Sequence, residues 1–140
     1  GSLSNQQLAL DFYETPAFTM RGNDAETISG QVAEGINALN QKNYGQAISA
    51  LQSVPADNEY YIMSRYYLGH ANFLNKNYAA AENDFSEVMN ANDIRFQDDA
   101  QWYRLLSCKA QDQDCEDMLQ TILQNPNHPY FEKASQLQNQ

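Results

Sequence analysis

Laid against itself at an offset of 34 residues, the chain matches without a gap, and this period constrains its fold more than any other feature. Gly35 falls on Gly69, Lys42-Asn43-Tyr44 on Lys76-Asn77-Tyr78, Ala47 on Ala81, Leu51 on Phe85 and Val54 on Val88. In the second copy, apolar residues recur at helical spacing from Tyr60 to Leu74 and from Tyr78 to Ala91, on either side of the polar break Asn75-Lys76-Asn77. The spacing predicts two antiparallel helices joined by a tight turn. Such a unit cannot cover its own apolar face, so neighbouring copies stack and bury a shared core. Glycine costs a helix about 1 kcal/mol relative to alanine, so Gly69 marks a close approach of a neighbouring backbone. Ala81 allows the same on the partner helix, and Phe85 and Val88 fill the space left over.

A 34-residue helix-turn-helix period, with Leu68-Gly69 in the first helix and Ala81-x-x-x-Phe85 in the second, resembles the tetratricopeptide repeat. The match is strong over residues 28–92. In a third copy Trp102-Tyr103-Arg104-Leu105 follows at an offset of 37, Leu106 replaces the expected glycine, and Met118 and Ile122 take the small and large slots. The resemblance implies an all-α fold, a right-handed α-α superhelix of about three helical hairpins with a C-terminal capping helix. Repeats are expected near residues 28–61, 62–95 and 99–127, with the cap in 128–140 and an arm over 1–22 preceding a repeat domain over 23–140.

The arm carries Leu8, Leu10, Phe12 and Tyr13, which predict a short helix ended by Glu14-Thr15-Pro16. Ala17-Phe18-Thr19-Met20 then runs extended to a turn at Arg21-Gly22. Asn23 and Glu26 form the pattern of a capping box for a helix bearing Ile28, Val32, Ile36 and Leu39. A second helix spans Tyr44 to Val54, where Pro55 stops it, and Asp57 is the expected N-cap of the central helix. Apolar residues wrap most of that central helix, as befits one with neighbours on several sides. A connection over Asp93–Asp98 tucks Ile94 and Phe96 beneath it, and a third hairpin spans about Asp99 to Gln124. Pro129 suits the first turn of a last helix reaching about Leu137.

At 140 residues the chain is one domain with enough length to bury a core. Eighteen acidic against eight basic residues give a net charge of −10, which excludes nucleic acid and anionic lipid as partners, because both need clustered cations. No run of eighteen apolar residues offers a membrane span, so direct membrane insertion is not expected. The chain opens on Gly1-Ser2 rather than Met, so native sequence is expected upstream, and an excised leader or anchor would leave a fragment of this kind.

Chemistry is scarce. Cys108 and Cys115 are seven apart, which is not the C-x-x-C of a zinc or redox site; two semi-buried thiols are the preferred reading and a disulfide formed in an oxidising compartment the sharper one. His70 and His128 lack a nucleophile or carboxylate at a pairing distance in sequence, and a His70–Cys108 dyad across repeats is set aside. Asp112-x-Asp114-x-x-Asp117 lacks the glycine and terminal glutamate of a calcium loop and reads as an acidic helix start. Neither an enzyme, a cofactor nor a metal is expected.

In tetratricopeptide proteins the first helices of successive repeats line a concave groove that holds extended peptides. Carried over by position, the resemblance implies a groove of Val32, Ile36 and Leu39, then Met63, Tyr66, His70 and Phe73, then Tyr103, Arg104 and Ser107. The function expected is a protein-protein interaction scaffold for an unidentified protein or peptide. Members that grip chaperone tails use several cations there, whereas Val32, Ile36 and Tyr67 stand in those slots and Arg104 alone is cationic, so that role is disfavoured. The competing reading fills the groove with the arm, Leu8 to Met20, and makes the domain a self-association module, a homodimer. The layout also resembles short tetratricopeptide domains that follow a single span in bacterial envelope proteins, which implies a periplasmic site, the cytoplasm being the alternative.

Overall fold

Every regular element among residues 4–18 and 30–140, the residues described by the computed structural model, is an α-helix. The arm holds α1 (Asn5–Phe12), and three pairs follow: α2 (Gly30–Asn40) with α3 (Tyr44–Gln52), α4 (Tyr61–Leu74) with α5 (Tyr78–Asn90), and α6 (Gln97–Ala110) with α7 (Glu116–Leu123). A last helix, α8 (Phe131–Gln138), ends the chain. The predicted capping box of Asn23 and Glu26, Ile28 and the Arg21-Gly22 turn lie outside the described residues. Each helix from α2 to α6 packs on the next, α7 packs on α6 and α8, and α1 lies against α6 and touches α8.

The recurring Lys-Asn-Tyr is a turn chemistry. Lys42 and Lys76 adopt left-handed backbone, with φ of 61° and 67°. The Lys42 N–H bonds the Leu39 carbonyl at 3.0 Å and the Asn43 N–H bonds Ala38 at 2.8 Å; Lys76 bonds Phe73 at 3.0 Å and Asn77 bonds Asn72 at 2.7 Å. That double closure is the Schellman motif, which satisfies carbonyls that a helix end leaves unpaired. The same closure, 34 residues apart, releases α3 and α5 in the same direction relative to α2 and α4.

Inside each hairpin the glycine accommodates a side chain. A Cβ on Gly35 would stand 2.4 Å from Leu51 Cγ, and one on Gly69 would stand 2.7 Å from the Phe85 ring. The close neighbour is therefore the large residue of the partner helix, not a neighbouring backbone as expected. Ala47-Leu51-Val54 on the first pair and Ala81-Phe85-Val88 on the second form a buried ladder of small, large and branched residues.

The third pair keeps this ladder at the same 34-residue offset, as Cys115-Leu119-Ile122, all buried. Met118, the expected occupant of the small slot, is only half-buried. The reason lies in the turn. Helix α6 runs on to Ala110, and the left-handed residue is Asp112, at φ 57°, two residues later than the period requires. Helix α7 then starts at Glu116, four residues late, with Cys115 as its N-cap. This overrun brings Cys115 to Cys108, and the two are joined by a disulfide with Cα atoms 6.1 Å apart, which corrects the preferred reading of two thiols.

Two further expectations are corrected. Helix α4 is capped at Tyr60 rather than Asp57, because a turn from Pro55 hands the chain to Asn58, whose side chain accepts the Tyr60 N–H at 2.8 Å. Ile94 is 93% exposed, and Phe96 takes the inward position alone, stacked on Tyr66 with ring centroids 4.8 Å apart.

Gly69→Ala should destabilise the fold by about 1–3 kcal/mol in urea unfolding, because the added methyl overpacks Phe85. Gly45→Ala, whose Cβ meets nothing within 4 Å, should be neutral or stabilising by up to about 1 kcal/mol. Like signs for the two changes would contradict the interlock. Replacing Cys108 and Cys115 together by serine should cost about 2 kcal/mol, the loop-closure value for so short a ring, and an unchanged midpoint would deny the bond a role in stability.

Candidate interaction face and its occupant

Helices α2, α4 and α6, the first members of the three pairs, share a face that the arm crosses from α6 to α2. At the α6 end, Gln6 Nε2 donates to the Ala110 carbonyl at 3.1 Å, and the Phe12 ring meets Trp102 edge-on at 6.3 Å. Tyr13 then enters between α6 and α4. Its ring stacks on Phe73 at 4.2 Å and meets Tyr103 at 5.5 Å, while its Oη lies 2.8 Å from His70 Nδ1. Beyond it the chain runs on without regular structure. The Tyr103 hydroxyl donates to the Glu14 carbonyl at 2.9 Å, and Asn40 Nδ2, at the end of α2, donates to the Phe18 carbonyl at 2.9 Å. Phe18 is buried edge-on against Tyr67 and His70.

His70 is the centre of this face. It is wholly buried, and the rings of Tyr13, Phe18, Tyr66, Phe85 and Tyr103 surround it with centroids 4.4–5.9 Å away. Its Nε2 has no hydrogen-bond partner. Burial among rings penalises the imidazolium and lowers the His70 pKa to about 3, so the ring is neutral near pH 7. The same desolvation raises the Tyr13 hydroxyl above the ordinary phenol range and pushes Tyr103 to about 12. Both stay protonated and serve as hydrogen-bonding groups.

The residues assigned to the groove from sequence divide three ways. His70, Phe73 and Tyr103 touch the arm, and Leu39 lines a cleft beside it. Val32, Ile36 and Met63 are buried in the core, and Tyr66 reaches past His70 to donate to Asp99 at 3.2 Å. Ser107 is fully buried with its hydroxyl on the Tyr103 carbonyl at 2.8 Å, and Arg104 is half-buried near Glu82 of α5. Residues 13–18 cover this face, so of the two arrangements the sequence leaves open, a free groove and one filled by the arm, the described structure has the second.

Sequence reasoning missed Asn40 and Tyr67 as arm contacts, and it missed two polar clusters built on Asp99 and Asp84. Asp99 accepts from both Tyr66 and Tyr130, the latter at 2.8 Å, and so ties α4, α6 and the entry to α8 together. Asn72 Nδ2 donates to Asp84 at 2.8 Å between α4 and α5, where burial raises the Asp84 pKa to about 6 despite that bond. Local pattern gives no signal for either.

A cleft of about 410 Å³ opens beside the arm, between Thr15–Phe18 on one side and Leu39, Asn40, Lys42, Tyr44 and Leu74 on the other. Among the described residues no group of three His, Cys, Asp or Glu is arranged to hold a metal ion, and no helix is long and apolar enough to cross a membrane. The chain matches no family model, no curated protein and no solved structure.

A histidine whose folded pKa lies below its unfolded value of about 6.5 binds its proton more readily unfolded, so its contribution is intact above pH 6.5 and is lost as pH falls toward 3. Between pH 7 and pH 5 the native chain should lose about 2 kcal/mol more stability in urea than His70→Gln does. Equal losses would mean that the ring titrates normally.

Proposed function

We propose that the chain is a protein-protein interaction module of tetratricopeptide type, a right-handed stack of three helical hairpins whose α2-α4-α6 face takes an extended segment of a partner. The arm is the cis occupant of that face. The observation that carries this reading is the way residues 13–18 are held. Two side chains of the stack, Tyr103 and Asn40, grip backbone carbonyls, and two aromatic anchors, Tyr13 and Phe18, dock between rings, while Glu14, Thr15 and Ala17 face solvent. Backbone grips with spaced side-chain anchors are how proteins hold extended peptides. Leu39, His70, Phe73 and Tyr103 are the proposed contact residues from the sequence assignment, joined by Asn40 and Tyr67.

The Cys108–Cys115 bond supports a working place in an oxidising compartment such as the bacterial periplasm, because such bonds are rare where thiol reductants prevail. Intact mass that grows by two hydrogens on reduction of protein secreted by its host is the expected result.

The groove reading is tested in the full chain. Tyr13→Ala with Phe18→Ala loosens the arm and should let a labelled peptide of residues 4–18 bind at least tenfold more tightly than it binds the native chain. In the native chain the tethered arm competes at an effective concentration on the order of millimolar. Equal affinities, or no binding to either, would contradict it.

A further inference from the structure

Two of the five rings around His70, Tyr13 and Phe18, belong to the arm, and the arm also supplies the hydroxyl on its Nδ1. The other three, Tyr66, Phe85 and Tyr103, belong to the stack. The histidine is therefore buried jointly, and undocking the arm strips one side of it. A neutral imidazole suits the covered state, because the Tyr13 hydroxyl can donate to Nδ1 or accept from it. An imidazolium carries a proton on both nitrogens. The Tyr13 oxygen can accept one of them, but Nε2 has no acceptor.

Among the described residues no counter-charge faces the ring. Tyr13 from the arm, Tyr66 on α4 itself and Tyr103 from α6 are the titratable side chains around it, and burial raises all three phenols, so they stay neutral. Phe18 from the arm and Phe85 from α5 carry no charge. Of the carboxylates on these elements, Asp99 accepts from Tyr66 and Tyr130, Asp84 from Asn72, and Glu14 pairs with Lys133 of α8. A proton on His70 is thus opposed for as long as both covers are in place. The arm is the cover that can give. Within residues 4–18 only Leu8, Ala9 and Phe18 are buried, against ten of the fourteen residues of α4, which is also locked to α5 by Phe85 over Gly69. Partial openings involve the segments that bury least.

We infer that mild acid releases the arm: a proton taken up by His70 is accommodated by undocking residues 4–18 from α4 and α6, which uncovers the face. The release stands on this geometry, whereas the use of the uncovered face by a partner rests on the groove reading above. His70 binds its proton more readily uncovered, so the released population rises as pH falls below about 6.5. A ring held near 3 under the arm and returned to its ordinary pKa on release gives a gain of about twenty-five-fold between pH 7 and pH 5.

Backbone hydrogen exchange in the full chain separates release of the arm from unfolding of the stack. Corrected for the intrinsic pH dependence of exchange, protection of the α1 amides should lie below that of α4 and should fall about five- to twenty-five-fold from pH 7 to pH 5, the upper figure being that for full exposure of the ring. In His70→Gln it should stay level. Unchanged α1 protection in the native chain, or an equal fall in His70→Gln, overturns the inference, and so does α1 protection equal to that of α4, since the whole stack must then open. A second measurement keeps the histidine in place. In the full chain with Tyr13→Ala and Phe18→Ala, the His70 pKa read from its ring carbon shift should rise from about 3 to above about 5. A value still near 3 would mean that the stack alone buries the ring, and the inference falls. Neither readout involves a bound peptide, so failure here leaves the groove reading standing.

Discussion

Phe85 lies against the bare backbone of Gly69, in space that a methyl group would occupy. From that single contact α4 and α5 take their separation, and the ring reaches far enough through the gap to meet Tyr66, His70 and Tyr103 on the other side. One side chain thus serves two surfaces, the interior of the central hairpin and the floor beneath the arm. The first hairpin repeats the interlock with Leu51 over Gly35, where a smaller aliphatic group suffices. Dispersion contacts of this kind are individually weak, but dense packing makes them collectively decisive.

Polar groups embedded in this apolar surface set its orientation. A buried phenol or imidazole without a partner costs about 1–3 kcal/mol, so the hydroxyls of Tyr13, Tyr66, Tyr103 and Tyr130 each find one, on His70, Asp99, a backbone carbonyl and Asp99 respectively. These bonds fix where the arm enters and where the last helix docks. Apolar packing alone would leave both free to slide. His70 pairs its Nδ1 with Tyr13 and leaves Nε2 unpaired, and burial among the rings keeps the imidazole neutral.

How legible was this in the chain? The turns of the first two hairpins were legible almost to the residue, because the two Lys-Asn-Tyr segments carry a backbone requirement that acts locally; Gly35 and Gly69 were legible as close contacts, but the side chains that fill them, Leu51 and Phe85, come from the partner helix. The third hairpin was misaligned because no single offset fits it: the turn slips by two residues and the start of α7 by four, while the buried ladder stays at 34. Following the small-large-branched triad to Cys115, Leu119 and Ile122 would have found the register. Aromatic residues on α4 and α6 were recognised, yet Tyr13–His70, Tyr66–Asp99 and Tyr130–Asp99 join positions 57, 33 and 31 apart, and no periodicity encodes such pairs. Ile94 and Asp57 were misjudged for a related reason, since turns at 55–58 and 93–96 decide their places.

The arm over the aromatic face is the claim on which the functional account stands, and ring-to-ring proton contacts in solution report on it directly. Nuclear Overhauser effects from the Tyr13 ring to the rings of Phe73 and His70 are predicted for the full chain, together with effects between Phe18 and Tyr67. A Tyr13 ring with effects only to its own neighbours in sequence, and a His70 ring open to solvent exchange, would contradict the account.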